Sequence, residues 1–497
     1  MVLQENINVP HFALFPFIAQ GHIIPMIDIA KLLAQHGAIV TIFTTPKNAS
    51  RFSSVLSRAV SSGLQINLLT LNFPSKQAGL PEGCENFDMV DISNDMWNNF
   101  FYAVSLLQKQ AQELFDKLSP RPSCIISDFC IPWTSQIAEK HQIPRISFHG
   151  FSCFTIHCSF KVRSSKILES VNSDTEYFSI PGLPDKIQVT KGQMPGVIIE
   201  KLPKEFVEKL REAEMKSYGE IINTFEELEK EYVNDYKKVR NDKVWCVGPV
   251  SLCNKDGLDK AERGNIASIS EHNCLKFLDL HKPKSVVYVC LGSLCNLVSS
   301  QLIELALGLE ETKIPFIWAF RDGINKTQEL EKWIKDGKFE ERNQGRGLLI
   351  RGWAPQVMIL SHPSIGGFLT HCGWNSTLEG ISVGVPMVTW PLFGDQFLNE
   401  KLVTQLLRIG VSLGATVAMN WGEEEKLGVI VKKEGIKEAI CNVMDEGDQE
   451  SKERRERASE LSEIAKKTVE KGGSSYLNIT LLIQDIIQLQ SNTKVET

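Results

Sequence analysis

WAPQVMILSHPSIGGFLTHCGWNSTLEGISVGVPMVTWPLFGDQ, residues 353–396, is the stretch on which the reading of this chain turns. Within it, IGGFLT (365–370) and VPMVTW (385–390) are short apolar runs of strand length. WNSTLEGIS between them has the spacing of a helix opening just after Gly373. Strand, helix and strand at this separation make a parallel β-α-β unit. The polar residues cluster: His371, Asn375 and Ser376 gather at the helix start, Glu379 follows one turn later, and Asp395-Gln396 close the segment. Asn375 and Glu379 are four apart and share one helix face. Open α/β sheets bind ligands where a strand ends and a helix begins, and the first N–H groups of a helix lack internal partners and favour anions. The segment therefore marks a site as well as a fold.

The same alternation extends outward. SVVYVCLGS (285–293), PFIWAFR (315–321) and GLLI (347–350) are strand runs, with a helix pattern over 299–312. In the first half FALFPF (12–17), AIVTIFTT (38–45), LQINLLTL (64–71), SCIISD (123–128) and RISFHG (145–150) read as strands. A helix pattern follows the Gly21-His22 turn and stops at Gly37. Two α/β halves, each a parallel sheet covered by helices, are expected. WCVGPV (245–250) leads into the polar stretch CNKDGLDKAERGNIAS (253–268), which reads as a linker. The expected boundaries are 1–250, a linker over 251–272, a second domain over 273–473, and a final segment over 474–497. The charged run 449–467 is most simply a solvated helix face.

Composition narrows the class. A chain of 497 residues has room for two domains or more. A net charge of −6 gives no electrostatic case for nucleic acid or an anionic membrane. No apolar run approaches the roughly 18 residues of a membrane span, and MVLQENINVPHF lacks the basic and apolar regions of a secretory signal. The twelve cysteines are scattered without CxxC pairs and suit a reduced, cytoplasmic protein. On that route the sequons at Asn48, Asn325, Asn375 and Asn478 are coincidental.

WAPQ at the start of the segment, HCGWNSTLE in its middle and PLFGDQ at its end resemble the signature box of plant family-1 glycosyltransferases, which move a sugar from a UDP-sugar to a small molecule. Weaker resemblance runs along nearly the whole chain. It implies the GT-B architecture, two facing Rossmann-like domains with a cleft between them, and a final helix (about 474–491) that crosses back to the first domain. Trp353 would stack on uracil and the Ala354 backbone bond its edge. Glu379 would accept from ribose hydroxyls; His371, Asn375, Ser376 and the helix N-terminus would hold the diphosphate. The resemblance adds Gln356 near the ribose, Ser293 near the phosphate, and Trp374, Asp395 and Gln396 at the sugar. Gln396 favours glucose. Taken singly, Trp353 is a core aromatic, Asn375 a capping residue and Glu379 a solvated charge; the complete ordered set argues for a site. Cys372 reads as a small buried residue rather than a nucleophile.

Transfer to a hydroxyl needs a base. His22, on the turn after the first strand, is the candidate, with Asp128 at the end of a later strand to orient it. Alone, His22 reads as a structural hydrogen-bonder and Asp128 as a turn cap; the resemblance places its His-Asp dyad on FIAQGH and ISDFCIPW. The adjacent helix N-terminus is expected to disfavour the charged imidazolium. Direct displacement would invert the anomeric centre and give a β-glucoside. There is no Asp-x-Asp motif, so neither a metal clamp nor another cofactor is expected; UDP-glucose would be the co-substrate and the enzyme a monomer.

For the acceptor, Phe87, Met89, Trp97, Phe100, Phe101, Tyr102, Phe148, Phe151 and Phe154 as a group favour a lipophilic molecule. WGEEEKLGVIV (421–431) resembles an insertion in a plant subgroup acting on flavonoids, triterpenoid sapogenins, steroids and hormones. Phe277 stands where relatives usually have Trp. Three rivals remain. A nicotinamide oxidoreductase needs a Gly-rich turn that FPFIAQGHII does not supply. A non-catalytic sugar-nucleotide-binding protein would keep the box and lose the dyad. The same chemistry with galactose, xylose or glucuronate is the nearest alternative.

Overall fold

The computed structural model describes residues 9–90, 96–195, 202–295, 297–321, 328–419 and 424–495. Fifteen strands are described: β1 His11–Phe15, β2 Ile39–Thr44, β3 Ile66–Thr70, β4 Cys124–Asp128, β5 Arg145–His149, β6 Tyr177–Ser179, β7 Gln188–Thr190, β8 Gly219–Ile222, β9 Val244–Cys246, β10 Val286–Cys290, β11 Phe316–Phe320, β12 Gly347–Arg351, β13 Ile365–Thr370, β14 Met387–Thr389 and β15 Gly410–Ser412. They form two parallel sheets, ordered β3-β2-β1-β4-β5-β8-β9 and β12-β11-β10-β13-β14-β15, and the antiparallel hairpin β6-β7. The central strands β1 and β4 are buried along their whole length, as sheets covered by helices on both faces require. The two-domain α/β expectation holds. The short strands β8 and β9 and the hairpin carry too few residues for a sequence pattern.

Strand order also locates the chemistry. In the first sheet the chain goes one way from β1 to β2 and the other way to β4. In the second it diverges likewise from β10 to β11 and β13. These are the switch points at which helices leave for opposite faces and a crevice opens. His22 follows β1, Asp128 ends β4, Ser293 follows β10 and His371 follows β13.

The stretch 253–268 and the helix Ser474–Val495 carry the chain between the halves. The stretch 253–268 is not a loose tether. Lys31 Nζ donates to Asn254 Oδ1 at 2.8 Å and pairs with Asp259, which Arg58 also reaches. Within the second half, helix Gln449–Val469 packs one face on helix Trp374–Val383, with Ser462 donating to Ser382 O at 2.7 Å. Helix Ser474–Val495 returns to β9: Asn478 bonds Cys246 O at 3.0 Å, Asp485 meets Tyr218 and Lys243 at 2.8 Å each, and Ile479, Leu482, Ile483 and Ile486 enter the first sheet's core. Among the described residues no helix is long and apolar enough to cross a membrane. Asn325, and residues 421–423 of the insertion, lie outside the described residues. Its far end is tied down, Gln301 bonding both N–H and C=O of Val431.

Candidate active site

A cavity of about 500 Å³ lies between the two switch points and is lined from both halves. His22 and all the residues proposed for the donor, Ser293, Trp353, Ala354, Gln356, His371, Trp374, Asn375, Ser376, Glu379, Asp395 and Gln396, face it. Asp128 stands directly behind His22.

His22 occupies the first turn of helix Gln20–Gln35, and its Nδ1 lies 2.7 Å from Asp128 Oδ2. Asp128 is fully buried, and its other oxygen accepts from the Cys130 N–H at 2.9 Å. With Nδ1 committed, Nε2 is the nitrogen left for a substrate. The His22 side chain is 22% exposed. Burial acts to lower its pKa, but the charge and hydrogen bond of Asp128, with a contribution from Asp395, outweigh it and raise the group above its ordinary 6.5. This corrects the expectation drawn from the helix N-terminus: a carboxylate in contact outweighs the partial charge of a first turn.

On the facing side, Gly373 caps helix Trp374–Val383, whose first N–H groups lie at the cavity wall. His371 just precedes it, wedged between two glycines. A Cβ on Gly292 would stand 2.5 Å from His371 Nε2, and one on Gly373 2.4 Å, and Gly292 has a φ of +82°. Burial pushes the His371 pKa down to about 4 against a backbone contact with Cys290, so the ring is neutral. Asn375 crosses the cleft, its Nδ2 donating to Gly21 O at 2.7 Å. That carbonyl is available because Pro25, four residues on within the helix, has no N–H to give it. Trp374 is 2% exposed, and its indole N–H donates to Asn223 O at 2.7 Å. Trp374, expected at the sugar, thus spends its indole N–H on bracing the two halves.

Glu379 is held on both sides. Gln356 Nε2 donates to its Oε2 at 2.7 Å and to Ser376 Oγ at 3.0 Å. Arg263, from the connecting segment, pairs with its Oε1 and, through Nε at 2.8 Å, with Asp28 of helix Gln20–Gln35. Gln396 Oε1 accepts from the N–H groups of Leu392 and Phe393 at 2.8 and 3.1 Å, which fixes the loop closing the box. Burial lifts the Asp395 pKa to about 6 against hydrogen bonds from Asn399 and the backbone.

The remaining wall is aromatic. Phe87, Trp97, Phe101 and Phe151 line it as expected, joined by Phe17, Phe129 and Phe393. Phe100, Phe148 and Phe154 are core instead, and Met89 and Tyr102 are exposed. Phe277 packs beside His281 with ring centroids 4.7 Å apart, away from the cavity.

Residues 268–464 match the family model described as UDP-glucoronosyl and UDP-glucosyl transferase. The chain is 57% identical to UDP-glycosyltransferase 73C25 of Barbarea vulgaris, over 97% of each chain. It is 56% identical to UDP-glycosyltransferase 73C6 of Arabidopsis thaliana, over 99% of this chain and 100% of that one. The chain belongs to the UDP-glycosyltransferase family. A crystal structure of Glycyrrhiza uralensis UGT73P12 complexed with glycyrrhetinic acid 3-O-monoglucuronide superposes with a TM-score of 0.89, at 36% identity and 98% coverage of both chains. Arabidopsis thaliana UGT89C1 complexed with UDP-L-rhamnose superposes with a TM-score of 0.74, at 29% identity, over 96% of this chain and 99% of that one.

This UDP-glycosyltransferase is therefore an enzyme that moves a sugar from a UDP-sugar to a small molecule. Two residues of its cleft escaped the sequence reading. Arg263 sits in a polar stretch with no periodicity, and its partners Asp28 and Glu379 are 235 and 116 residues away. Asn399 lies three residues past the box and is fully buried among polar groups from both halves.

Proposed function

We propose that this transferase is an inverting O-glucosyltransferase that moves glucose from UDP-glucose to a hydroxyl of a lipophilic plant small molecule, a triterpenoid sapogenin or a flavonoid, giving a β-glucoside. The observation that carries the reading is the His22–Asp128 pair at 2.7 Å, opening on the same cavity as the donor box. His22 Nε2 takes the acceptor's hydroxyl proton as the oxygen attacks the anomeric carbon, and Asp128 stabilises the imidazolium that forms. One bond forms from the acceptor oxygen to carbon, the bond from carbon to the phosphate oxygen breaks on the opposite face, and UDP leaves. The N–H groups opening helix Trp374–Val383 and the neutral His371 take up the developing phosphate charge, and the reaction calls for no metal. Trp353 stacks on uracil, with the Ala354 backbone at its edge; Glu379 and Gln356 take the ribose, Asn375, Ser376 and Ser293 the diphosphate, and Trp374, Asp395 and Gln396 the glucose.

The first half binds the acceptor and the second the donor. Phe17, Phe87, Trp97, Phe101 and Phe151 supply the flat apolar surface a polycyclic aglycone needs. The Glycyrrhiza uralensis relative, complexed with glycyrrhetinic acid 3-O-monoglucuronide, supports a bulky polycyclic ligand. Scattered cysteines without CxxC pairs suit a cytoplasmic enzyme, and a cavity complete within one chain suits a monomer.

A mass-spectrometric screen tests the reading: UDP-glucose against triterpenoid sapogenins, flavonols, isoflavones and sterol-like hormones, with a His22→Ala control. Gain of an anhydro-hexose on a sapogenin or flavonoid, lost in the control, is expected. Transfer from UDP-glucuronate, UDP-xylose or UDP-galactose but not from UDP-glucose would overturn the donor assignment.

A further inference from the structure

Asn399 lies on helix Gln396–Lys401, one turn after Asp395, and is completely buried. Its carboxamide makes four hydrogen bonds. Nδ2 donates to Cys372 O at 2.9 Å and to Asp395 Oδ2 at 2.6 Å. Oδ1 accepts from Ser152 Oγ and Thr155 Oγ1, both at 3.1 Å. The two donor bonds stay within the second half and the two acceptor bonds cross to the first. Ser152 is the N-cap of helix Cys153–Ser165, which starts just past Gly150 and Phe151 of the cavity wall. Cys372 has a φ of +64°, a left-handed conformation rare for a side chain with a Cβ, and it sits between His371 and Gly373. Its carbonyl is the one Asn399 holds.

We propose that Asn399 is a positioning residue for transfer: it locks the two halves together at the sugar end of the cleft, so that Asp395 and the His371–Gly373 turn keep one alignment with His22. Only a carboxamide of this length offers two donors and an acceptor from one planar group. Every bond is satisfied, so any replacement strands buried partners. Aspartate is the informative change. It keeps the two acceptor bonds to the first half and turns both donors into acceptors facing Cys372 O and the Asp395 carboxylate. Thr155→Val is its complement, cutting a bond between the halves and leaving Asn399 intact. The proposal rests on the reading of His22 and Asp395 given above.

The test compares Asn399→Asp and Thr155→Val full-length enzymes with wild type in kcat, KM for both substrates, UDP affinity by calorimetry, and pH-rate profile. The expected result is a kcat about 100-fold lower in Asn399→Asp and about tenfold lower in Thr155→Val, with UDP affinity within about threefold in both, because misplacement of about 1 Å is felt in chemistry before binding. The pH profile of Asn399→Asp should also move, since Asp395 loses a donor; a merely structural residue would leave it in place. Should Asn399→Asp not fold, Thr155→Val decides alone. A kcat within about threefold of wild type, or UDP affinity and kcat lost in parallel, would overturn the proposal. Full activity in Asn399→Asp beside an inactive His22→Ala refutes the role of Asn399 alone, and turnover retained by His22→Ala refutes the dyad beneath it.

Discussion

Replacing Asp128 with Asn exposes how the dyad is wired. Both carboxylate oxygens are in use, one by His22 Nδ1 at 2.7 Å and the other by the Cys130 N–H at 2.9 Å. An amide has one acceptor oxygen. The buried Cys130 N–H can only donate, so that oxygen goes to it and the amide NH₂ turns toward Nδ1. Nδ1 must then accept, and the ring proton moves to Nε2, the nitrogen that has to be free to take the acceptor's proton. Losing a positioned base costs on the order of 10²–10⁴ in kcat, or about 3–5 kcal/mol of transition-state stabilisation at about 1.36 kcal/mol per decade. The pH dependence moves too. In the wild type His22 is raised above 6.5 because Asp128 and Asp395 outweigh burial; activity is present above that pKa and lost as pH falls through it. Without the Asp128 charge, burial prevails and the acid limb shifts to lower pH on a reduced plateau. Initial rates at saturating donor and acceptor from about pH 5 to 9 measure both quantities, with calorimetric UDP binding confirming an intact donor site. A kcat within tenfold of wild type together with an unmoved acid limb would refute this wiring.

Arg263→Met leaves Asp28 and Glu379, both almost completely buried, without their shared cation; breaking such a cluster costs about 3–5 kcal/mol. A clear fall in Tm and UDP affinity weakened about tenfold are expected by thermal melt and calorimetry, and an enzyme unchanged in both would show the bridge to be idle. Gly292→Ala puts a Cβ 2.5 Å from His371 Nε2 at a φ of +82°. It should cost about 1–2 kcal/mol in backbone strain and raise the KM for the UDP-sugar more than that for the acceptor. Equal effects on the two substrates would contradict the placement of His371 at the donor.

Much of this was legible because it is local. The strand runs from FALFPF to VPMVTW and the helix after Gly373 declare themselves by periodicity, and the polar residues of 353–396 fall close together along the chain, so one helix and two strand ends bring them to one place. His22 and Asp128, 106 residues apart, needed the resemblance to pair them. What stayed hidden acts across the cleft. Arg263, Asn399 and the Trp374 indole each bond to the other half, and nothing in their own neighbourhoods says what lies opposite. The direction of the His22 shift was missed although its pairing with Asp128 was expected, because a carboxylate in contact, joined by Asp395 from the other half, outweighs the helix N-terminus.

Helix Ser474–Val495 has a consequence for how the molecule is made. Ribosomes deliver the first sheet early, yet Ile479, Leu482, Ile483 and Ile486, which cover it along β9, are translated only after the whole second sheet. Each such side chain is worth about 1.5–3 kcal/mol when fully buried, so the nascent first half waits with an open apolar seam until this helix emerges. The first half is sealed only after the second sheet has been made. A chain cut short before residue 474 loses its closing seal in the half that carries His22, far from the break.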